Sequence, residues 1–131
     1  MAERKKISSG AVWEDIVGYS RAVKIGNVIE ISGTTAVEGE KIIGIGDPYL
    51  QTENIINKFK NVLEIAGSSL DDIVRVRMYV TNMDDWEVIS KAFSKYFRSI
   101  KPAATLVGVK SLINPDLLVE IEATAIISDK G

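Results

Sequence analysis

Two glutamates near the end of the chain have a spacing that suits acid–base chemistry or metal binding. Glu120 and Glu122 are two residues apart in a segment of alternating apolar and polar residues, so both would lie on one face of a strand. Paired carboxylates can transfer protons or hold a metal ion. Arg75 and Arg77 have the same spacing in another predicted strand, and arginine–glutamate pairs across strands usually stabilise a sheet modestly. The spacing alone leaves both interpretations open.

Two short segments join a glycine to small hydroxyl residues at the edges of predicted strands. They are Gly-Tyr-Ser-Arg at residues 18–21 and Ser-Gly-Thr-Thr at residues 32–35. A glycine in such a place either lets a ligand approach the backbone closely or permits a turn. The sequence leaves both uses open, so these segments are candidates for a ligand site.

The amino-acid composition excludes most other catalytic classes. The 131 residues include no histidine and no cysteine, so a Ser-His-Asp or Cys-His nucleophile, thiol redox chemistry and the usual zinc or haem ligands are absent. Sixteen basic and eighteen acidic residues give a net charge of −2, which does not favour nucleic acid as a partner. No apolar run approaches the ~18 residues that cross a bilayer, and no apolar signal segment follows the basic start. We expect a globular cytoplasmic protein that binds neither nucleic acid nor membrane.

Two further motifs have structural explanations. Residues 44–48, Gly-Ile-Gly-Asp-Pro, precede a predicted helix as a phosphate-binding loop would, but they lack the Gly-Lys-Ser/Thr ending. Asp47 also puts a negative charge where the phosphate would lie, so we interpret the string as a helix cap. A later set of aromatic residues has helical spacing, which indicates core packing rather than a platform for bases. The set is Trp86, Phe93, Tyr96 and Phe97.

In the first half of the chain, hydrophobic periodicity and turn residues predict the strands and the helix that position these residues. Residues 20–25 and 28–32 favour strands, and Gly-Asn at residues 26–27 predicts a hairpin turn between them. A turn at residues 38–40 separates two shorter β-like runs, residues 34–37 and 42–45. A helix is predicted between Asp47, its N-terminal cap, and Gly67, its C-terminal cap.

The second half alternates strands with a helix. Val74, Val76, Met78 and Val80 alternate with polar residues, as in a strand with one apolar face. A helix begins near Asn82 or Asp84 and ends before residue 101, and β-like segments follow at residues 105–109 and 117–127. The order β-β-(β-β)-α-β-α-β-β, without a linker, predicts one α+β domain. Two helices cover only one face of a sheet, so the second face is solvated or buried against another subunit.

From about residue 18 to residue 127 the chain resembles the Rid (reactive intermediate deaminase) or YjgF family. The similar strings are Gly-Tyr at 18–19, VKIGN at 23–27, ISG at 31–33, NVL at 61–63, AG at 66–67, LDDIV at 70–74, YVTNMDDW at 79–86, KPA at 101–103 and VEIEATA at 119–125. The resemblance implies a single Rid/YjgF-like domain over residues 1–131, with residues 1–16 as an N-terminal extension. It also implies a chorismate-mutase-like fold with a mixed sheet and two helices on one face. In that family three chains close a central β-barrel and hold small-molecule clefts between subunits.

The resemblance further implies a reaction and the residues that perform it. Deaminating members hydrolyse imines and enamines, such as 2-aminoacrylate, to 2-keto acids and ammonia without a metal or cofactor, and we expect none here. Tyr19 matches the cleft tyrosine, and Ser32 and Gly33 match the pair that binds ligand through the backbone. Glu120 matches the carboxylate that positions or activates water. We also expect ligand contacts at Thr34 and Thr105.

The chain departs from the deaminating members at one position of this site. After Lys-Pro-Ala at residues 101–103 they carry an arginine that clamps the substrate carboxylate, whereas this chain has Ala104. Losing such a clamp costs on the order of 2–5 kcal/mol, or ~30-fold or more in affinity for a carboxylate. Arg21, two residues beyond Tyr19, would share its side of a strand and could replace the clamp, or it could be an exposed or intersubunit ion-pair residue.

Two functions therefore stay open. The first is a trimeric binding protein whose cleft holds a small metabolite, with activity that diverges from 2-imino acid deamination. The second is a cofactor-free imine or enamine hydrolase with an altered substrate range, in which Glu120 activates water and backbone N–H groups polarise the reacting centre. Some relatives are described as ribonucleases, but an acidic chain without histidine gives that activity little support.

Overall fold

A computed structural model of the protein describes residues 3–128, which form one six-stranded mixed sheet, a small hairpin and two main helices. The order of strands across the large sheet is β1-β2-β3-β8-β6-β7, and β4 and β5 pair separately. The strands are β1 (Arg4–Ile7), β2 (Ala22–Ile25), β3 (Val28–Thr34), β4 (Val37–Glu38), β5 (Lys41–Ile42), β6 (Ile73–Val80), β7 (Ala103–Gly108) and β8 (Val119–Ile126). Only β6 and β7 run parallel, and the second helix connects them.

The two helices pack against one face of the sheet. Helix α1 spans Pro48–Ile65 and α2 spans Trp86–Phe97. The Asp47 side chain accepts a hydrogen bond of 3.0 Å from the Leu50 N–H, and Gly67 has a φ of 80°, so both predicted ends of α1 are confirmed. The core consists of the buried faces of the helices and alternate strand residues, including Ile29, Ile31, Ile55, Ile56, Phe59, Leu63, Val76, Val80, Ile89, Phe97, Val119 and Ile121. Neither helix of the described chain is long and apolar enough to span a membrane.

The other face of the sheet carries polar side chains. Alternation along β6 and β8 buries one set of residues against the helices and leaves the next set partly accessible. The partly accessible set on these two strands is Arg75, Arg77, Tyr79, Glu120, Glu122 and Thr124. The candidate catalytic glutamate therefore lies on the face without helices.

Two predicted hairpins are confirmed. β2 and β3 are joined by a two-residue turn in which Gly26 has a φ of 59°, as expected for Gly-Asn between antiparallel strands. The second hairpin, β4–β5, has shorter strands than the β-like runs at residues 34–37 and 42–45 predict. Its turn contains Gly39, which has a φ of 64°. The long last strand is confirmed over β8.

Three details of the sequence prediction differ from the structure. β1 was not predicted, because its sequence Arg-Lys-Lys-Ile is too short and too charged to show a strand pattern. Val74 was expected in the core but is 43% exposed, since a register shift between Ile73 and Arg75 against β8 turns it outward and Ile73 is buried instead. Trp86 was expected in the core but is 51% exposed, because the buried stripe of α2 begins one turn later, at Ile89.

Candidate functional site

A bulge in β3 brings its last residues against β8. Ile31 pairs with Ala123, but Thr34 pairs with Ile121, so three steps along β3 match two along β8. A bulge of this kind bends a strand and redirects its side chains, and bulges occur frequently near active sites. The bulge holds Ser32 and Gly33, two of the residues that the sequence indicated.

Gly33 makes room for the carboxylate of Glu120. A Cβ atom placed on Gly33 would overlap Oε2 of Glu120, and the Glu120 Cδ would lie 3.1 Å from it. Gly33 is absent from the positive-φ residues of the chain, so the glycine is needed here for space and not for backbone conformation. Close approach, rather than turn formation, is therefore the use of this glycine.

The two glutamates of β8 have different surroundings. Glu122 accepts a hydrogen bond of 2.8 Å from the Tyr79 hydroxyl and lies 3.5 Å from Nη1 of Arg77, so it forms the cross-strand pair that the spacing allowed. Glu120 takes part in neither of the ion pairs found among residues 3–128. Partial burial raises the pKa of Glu120, the positive charge of Arg21 lowers it, and the negative charge of Glu122 adds to the increase. A carboxylate with a raised pKa is a stronger proton acceptor than an ordinary one, which suits a general base.

Arg21 lies beside both Tyr19 and Gly33. Its Nη2 donates a hydrogen bond of 2.7 Å to the Gly33 carbonyl, and its guanidinium carbon is 5.8 Å from the centre of the Tyr19 ring. Burial lowers the pKa of Arg21, while Tyr19, Glu14 and Glu120 oppose this change, which places these four groups in one electrostatic cluster. The Nε atom is buried and has no hydrogen-bond partner within the described part of the chain.

Two hydroxyl side chains of the second candidate segment, Ser32 and Thr34, donate hydrogen bonds to backbone carbonyls. The Ser32 hydroxyl donates to the Ser20 carbonyl at 2.6 Å, and the Ser32 N–H donates to the Arg21 carbonyl at 3.0 Å. The Thr34 hydroxyl donates to the Ser32 carbonyl at 2.8 Å. These bonds join the segments 18–21 and 32–35, so the structure brings Tyr19, Arg21, Ser32, Gly33, Thr34 and Glu120 together.

Glu14 also belongs to this cluster, although the sequence offered no spacing argument for it. It is only 5% exposed and lies in a π-helical turn, Glu14–Gly18. Its carboxylate accepts hydrogen bonds from the Ser9 N–H, at 3.1 Å, and from the Ser9 hydroxyl. Burial works against ionisation, but the serine hydrogen bonds and the charge of Arg21 outweigh it and lower the pKa of Glu14. Glu14 is therefore a fixed negative charge near Arg21.

Lys58 and Asn54, on α1, contact the backbone that follows β3. The Lys58 ammonium group donates to the Thr35 carbonyl at 2.8 Å and to the Val37 carbonyl. The Asn54 side chain donates to the carboxylate of Glu38 at 2.8 Å. Sequence reasoning missed both residues, because polar residues on a helix normally point into solvent and their partners are distant in sequence.

Thr105 lies apart from the other candidate residues. It is on β7, where its hydroxyl accepts a hydrogen bond of 2.7 Å from Nη2 of Arg75. Strands β8 and β6 separate β7 from β3, and three strand spacings amount to about 14 Å. Ala104 is beside Thr105 on the same edge strand, paired with Val76. One chain therefore does not bring β7 to the cluster around Glu120.

Metal binding has no obvious place in this arrangement. No group of three or more acidic, histidine or cysteine side chains that could hold a metal ion occurs within residues 3–128. Near the cluster, Glu14 is hydrogen-bonded to Ser9 and Glu122 to Tyr79 and Arg77, whereas Glu120 is influenced by the charge of Arg21 without pairing with it. The chemistry available to the cluster is that of one carboxyl group of raised pKa, a tyrosine, backbone groups and hydroxyls.

Similar proteins cover nearly the whole chain. A family model described as Endoribonuclease L-PSP matches residues 11–127. A RutC family protein of Pyrococcus abyssi is 39% identical over 108 residues, which is 82% of this chain and 84% of the relative. A protein of Acinetobacter baylyi named 3-aminoacrylate deaminase RutC is 31% identical over 108 residues, which is 82% of this chain and 85% of the relative.

A solved structure shows the same fold. The crystal structure of a Mycobacterium tuberculosis member of the YjgF/YER057c/UK114 family has a TM-score of 0.87 with this chain at 38% identity, and the match covers 95% of this chain and 100% of the other. This chain therefore has the fold of that family member over 95% of its length.

Proposed function

The chain belongs to the YjgF/Rid family, and on that premise we propose that it forms a homotrimer whose clefts between subunits bind a small metabolite. The cleft residues would be Tyr19, Arg21, Ser32, Gly33, Thr34 and Glu120 of one chain with Thr105 of another. The family model is described as an endoribonuclease, but a chain with net charge −2 and no histidine does not favour RNA cleavage, so we propose no such activity.

The separation of Thr105 from the Glu120 cluster is the observation that carries this proposal. Thr105 lies three strand spacings, about 14 Å, from β3 and two spacings, about 10 Å, from β8 with Glu120, so we propose that Thr105 of a neighbouring subunit completes the cluster. Exposed apolar residues also lie next to the cluster in sequence, and contact with another subunit would remove them from water. They are Val12, Trp13, Ile16 and Val17.

The cluster favours an uncharged ligand over a carboxylate. Position 104 carries no cation, and Arg21 already donates Nη2 to the Gly33 carbonyl while its Nε is enclosed by protein. Glu120 adds a carboxyl group that would repel an anion whenever it is ionised. We therefore propose that the ligand is a small neutral molecule, with polar atoms that reach the backbone of residues 32–34 and the hydroxyl of Ser32.

A pair of probes of equal size tests this ligand class. Propionamide is neutral and propionate is anionic, and the shifts of the backbone amide signals of residues 32–34 report the binding of either one. We expect the native protein to bind propionamide more tightly than propionate. In Ala104→Arg we expect propionate affinity to rise by ~30-fold or more, because an arginine–carboxylate clamp is worth roughly 2–5 kcal/mol.

Asn61→Arg is the control for this experiment. Asn61 is an exposed residue of α1, on the helix side of the sheet, so an arginine there adds the same charge away from the cluster and should leave both affinities unchanged. Tighter binding of propionate than of propionamide by the native protein would contradict the neutral-ligand proposal. Absence of any shift at residues 32–34 with either probe would contradict the small-molecule cleft itself.

Hydrolysis of neutral imines or enamines is the second candidate, favoured by the raised pKa of Glu120 and by the name of the Acinetobacter baylyi relative. In this reaction the ionised Glu120 takes a proton from water as the water oxygen attacks the imine carbon. Glu120 returns that proton to the imine nitrogen, which gives a carbinolamine. The hydroxyl proton of the carbinolamine then passes to the amino group through Glu120 as the C–N bond breaks, and a carbonyl compound and ammonia leave. Water and the imine balance these products, so no cofactor is consumed.

Ammonia release from neutral imines, generated from a primary amine by an amine oxidase, measures this activity. We expect turnover by the native protein and a loss of ~100-fold or more in Glu120→Ala, as for removal of a general base. Glu122→Ala is the matched control, because Glu122 is held by Tyr79 and Arg77, and it should retain activity. Turnover that survives Glu120→Ala, or no turnover in either the native protein or Ala104→Arg, would contradict the hydrolase.

A further inference from the structure

Lys58 holds the backbone that continues from the candidate site. Its ammonium group reaches from α1 to the carbonyls of Thr35 and Val37, at 2.8 Å for Thr35. Asn54, one helical turn earlier, binds the side chain of Glu38 at 2.8 Å. Two side chains of α1 thus attach the connection between β3 and β4 to the helix.

This attachment begins directly after the residues that line the site. Arg21 binds the Gly33 carbonyl at 2.7 Å, and Lys58 binds the carbonyls two and four residues further along. Three carbonyls at alternate positions are therefore held by two cationic side chains from different elements. The conformation of residues 32–34 is fixed on one side by Arg21 and on the other by Lys58.

The Lys58 ammonium group loses hydration free energy because it is partly buried, and its two backbone acceptors are uncharged. The ion pairs among residues 3–128 are Arg77–Glu122 and Lys95–Glu53, so neither involves Lys58. The charged groups that act on Lys58 are Arg21, which precedes β2, and Glu38 in β4. Burial and, to a smaller extent, the charge of Arg21 lower the pKa of Lys58, and Glu38 opposes them, so that the pKa is about 8.

We propose that Lys58 is a positioning residue of the ligand site: its charged form fixes residues 35–37, and so residues 32–34, in the conformation that binds ligand. This inference rests on the proposed small-molecule cleft. Hydrogen bonds from a charged donor are about twice as strong as those from a neutral one, so loss of the proton loosens the segment without unfolding the protein. Ligand affinity then depends on the charge of a residue that does not touch the ligand.

The composition of the chain makes this dependence measurable. No histidine or cysteine is present, so the side-chain types that ordinarily titrate closest to pH 8 are absent. Propionamide is a suitable probe because its own charge does not change in that range. We expect its affinity for the native protein to fall roughly fivefold across a transition centred near pH 8. The nitrogen signal of labelled Lys58 should follow the same transition.

Three variants separate positioning from a purely structural role. Lys58→Arg keeps the positive charge above pH 9.5, so we expect near-native affinity and no transition. Lys58→Met should bind weakly at every pH. Lys60→Met, a change at an exposed lysine two residues along α1, should reproduce the native profile. The chain's α-amino group, which also titrates near pH 8, is present in all three and cannot cause a difference between them.

Two results would overturn the proposal. One is an affinity that stays constant with pH while Lys58 itself titrates. The other is a set of amide signals from residues 32–34 that do not respond to the Lys58 titration in the absence of any probe. The second measurement needs no ligand, so it decides the role of Lys58 even if propionamide fails to bind and the proposed cleft is wrong.

Discussion

At the scale of single residues, glycine suits position 33 because Glu120 occupies the space that a side chain there would need. The carboxylate of Glu120 occupies the place that a Cβ atom at position 33 would take. The overlapping atom is the far end of a flexible side chain, so an added methyl group can displace it without moving backbone.

We predict that Gly33→Ala changes the site more than it changes stability. The free energy of unfolding should fall by about 1 kcal/mol or less, as for a small overpacked group that can be relieved. Propionamide binding should fall markedly because Glu120 is pushed out of the cluster. Urea unfolding and amide-shift titration measure the two effects separately.

A double-mutant cycle tests the mechanism of that loss. In a Glu120→Ala background the overlapping atoms are gone, so the added methyl group at position 33 should have almost no further effect on stability. An equal loss of stability in both backgrounds would show that Gly33 is needed for some other reason.

Some residue roles could be predicted from the sequence and others could not. The pairing of Glu122 with Arg77 follows from spacing on two strands, whereas the different setting of Glu120 depends on the bulge in β3. Glu14 and Lys58 could not be found, because their partners are backbone groups or serines that only the folded chain brings near. Sequence patterns report the faces of elements and not such individual bonds.

At the scale of elements, a buried glutamine of α1 forms hydrogen bonds with the loop before α1 and with the loop before β8. Gln51 is fully buried, and its Nε2 donates to the carbonyls of Gly44, at 3.1 Å, and Asp116, at 2.9 Å. Its Oε1 accepts a hydrogen bond of 2.9 Å from the Leu118 N–H, immediately before β8. The start of β8, and with it the approach to Glu120, is therefore set by α1.

We predict that Gln51→Leu destabilises the protein by about 2–4 kcal/mol. The apolar side chain fills the space but leaves the partly buried Leu118 N–H without its partner and removes a donor from two carbonyls. Urea denaturation monitored by circular dichroism gives the change. Asn57→Leu, at an exposed position of the same helix, should alter stability by no more than about 0.5 kcal/mol. Equal stability losses in the two variants would contradict this role of Gln51.

The elements themselves were largely predictable because their signals are local. α1 has its cap, its proline and its periodic apolar residues within one segment, and the Gly-Asn turn lies directly between β2 and β3. β1 and the displacement of Val74 depend on pairing with distant strands, for which a single sequence contains no local signal. The fold class was therefore predicted better than its register.

At the scale of the whole molecule, exposed apolar side chains around Trp13 predict association. Trp13 is 56% exposed and Trp86 is 51% exposed, so both would fluoresce as solvated indoles in a monomer. In the proposed trimer a neighbouring subunit covers Trp13. Light scattering should give three times the chain mass of 14.3 kDa.

Trp86→Phe isolates the signal of Trp13. We expect the Trp13 emission of this variant to move to shorter wavelength with increasing protein concentration, because association buries the indole. The shift should follow the mass measured by light scattering, since burial of apolar surface drives association. Trp13→Ser should shift the equilibrium towards smaller species. A monomeric mass at every concentration would contradict the trimer and with it a cleft shared by two chains.

The distance between β7 and the Glu120 cluster also has a genetic consequence. In a trimer whose sites each combine two chains, a subunit altered at Glu120 and a subunit altered at Thr105 are defective in different halves of the site. A mixed ring of these two chains contains one site built entirely from intact halves. Two inactive alleles of this gene, expressed together, should therefore complement each other, whereas two alleles altered in the same half should not.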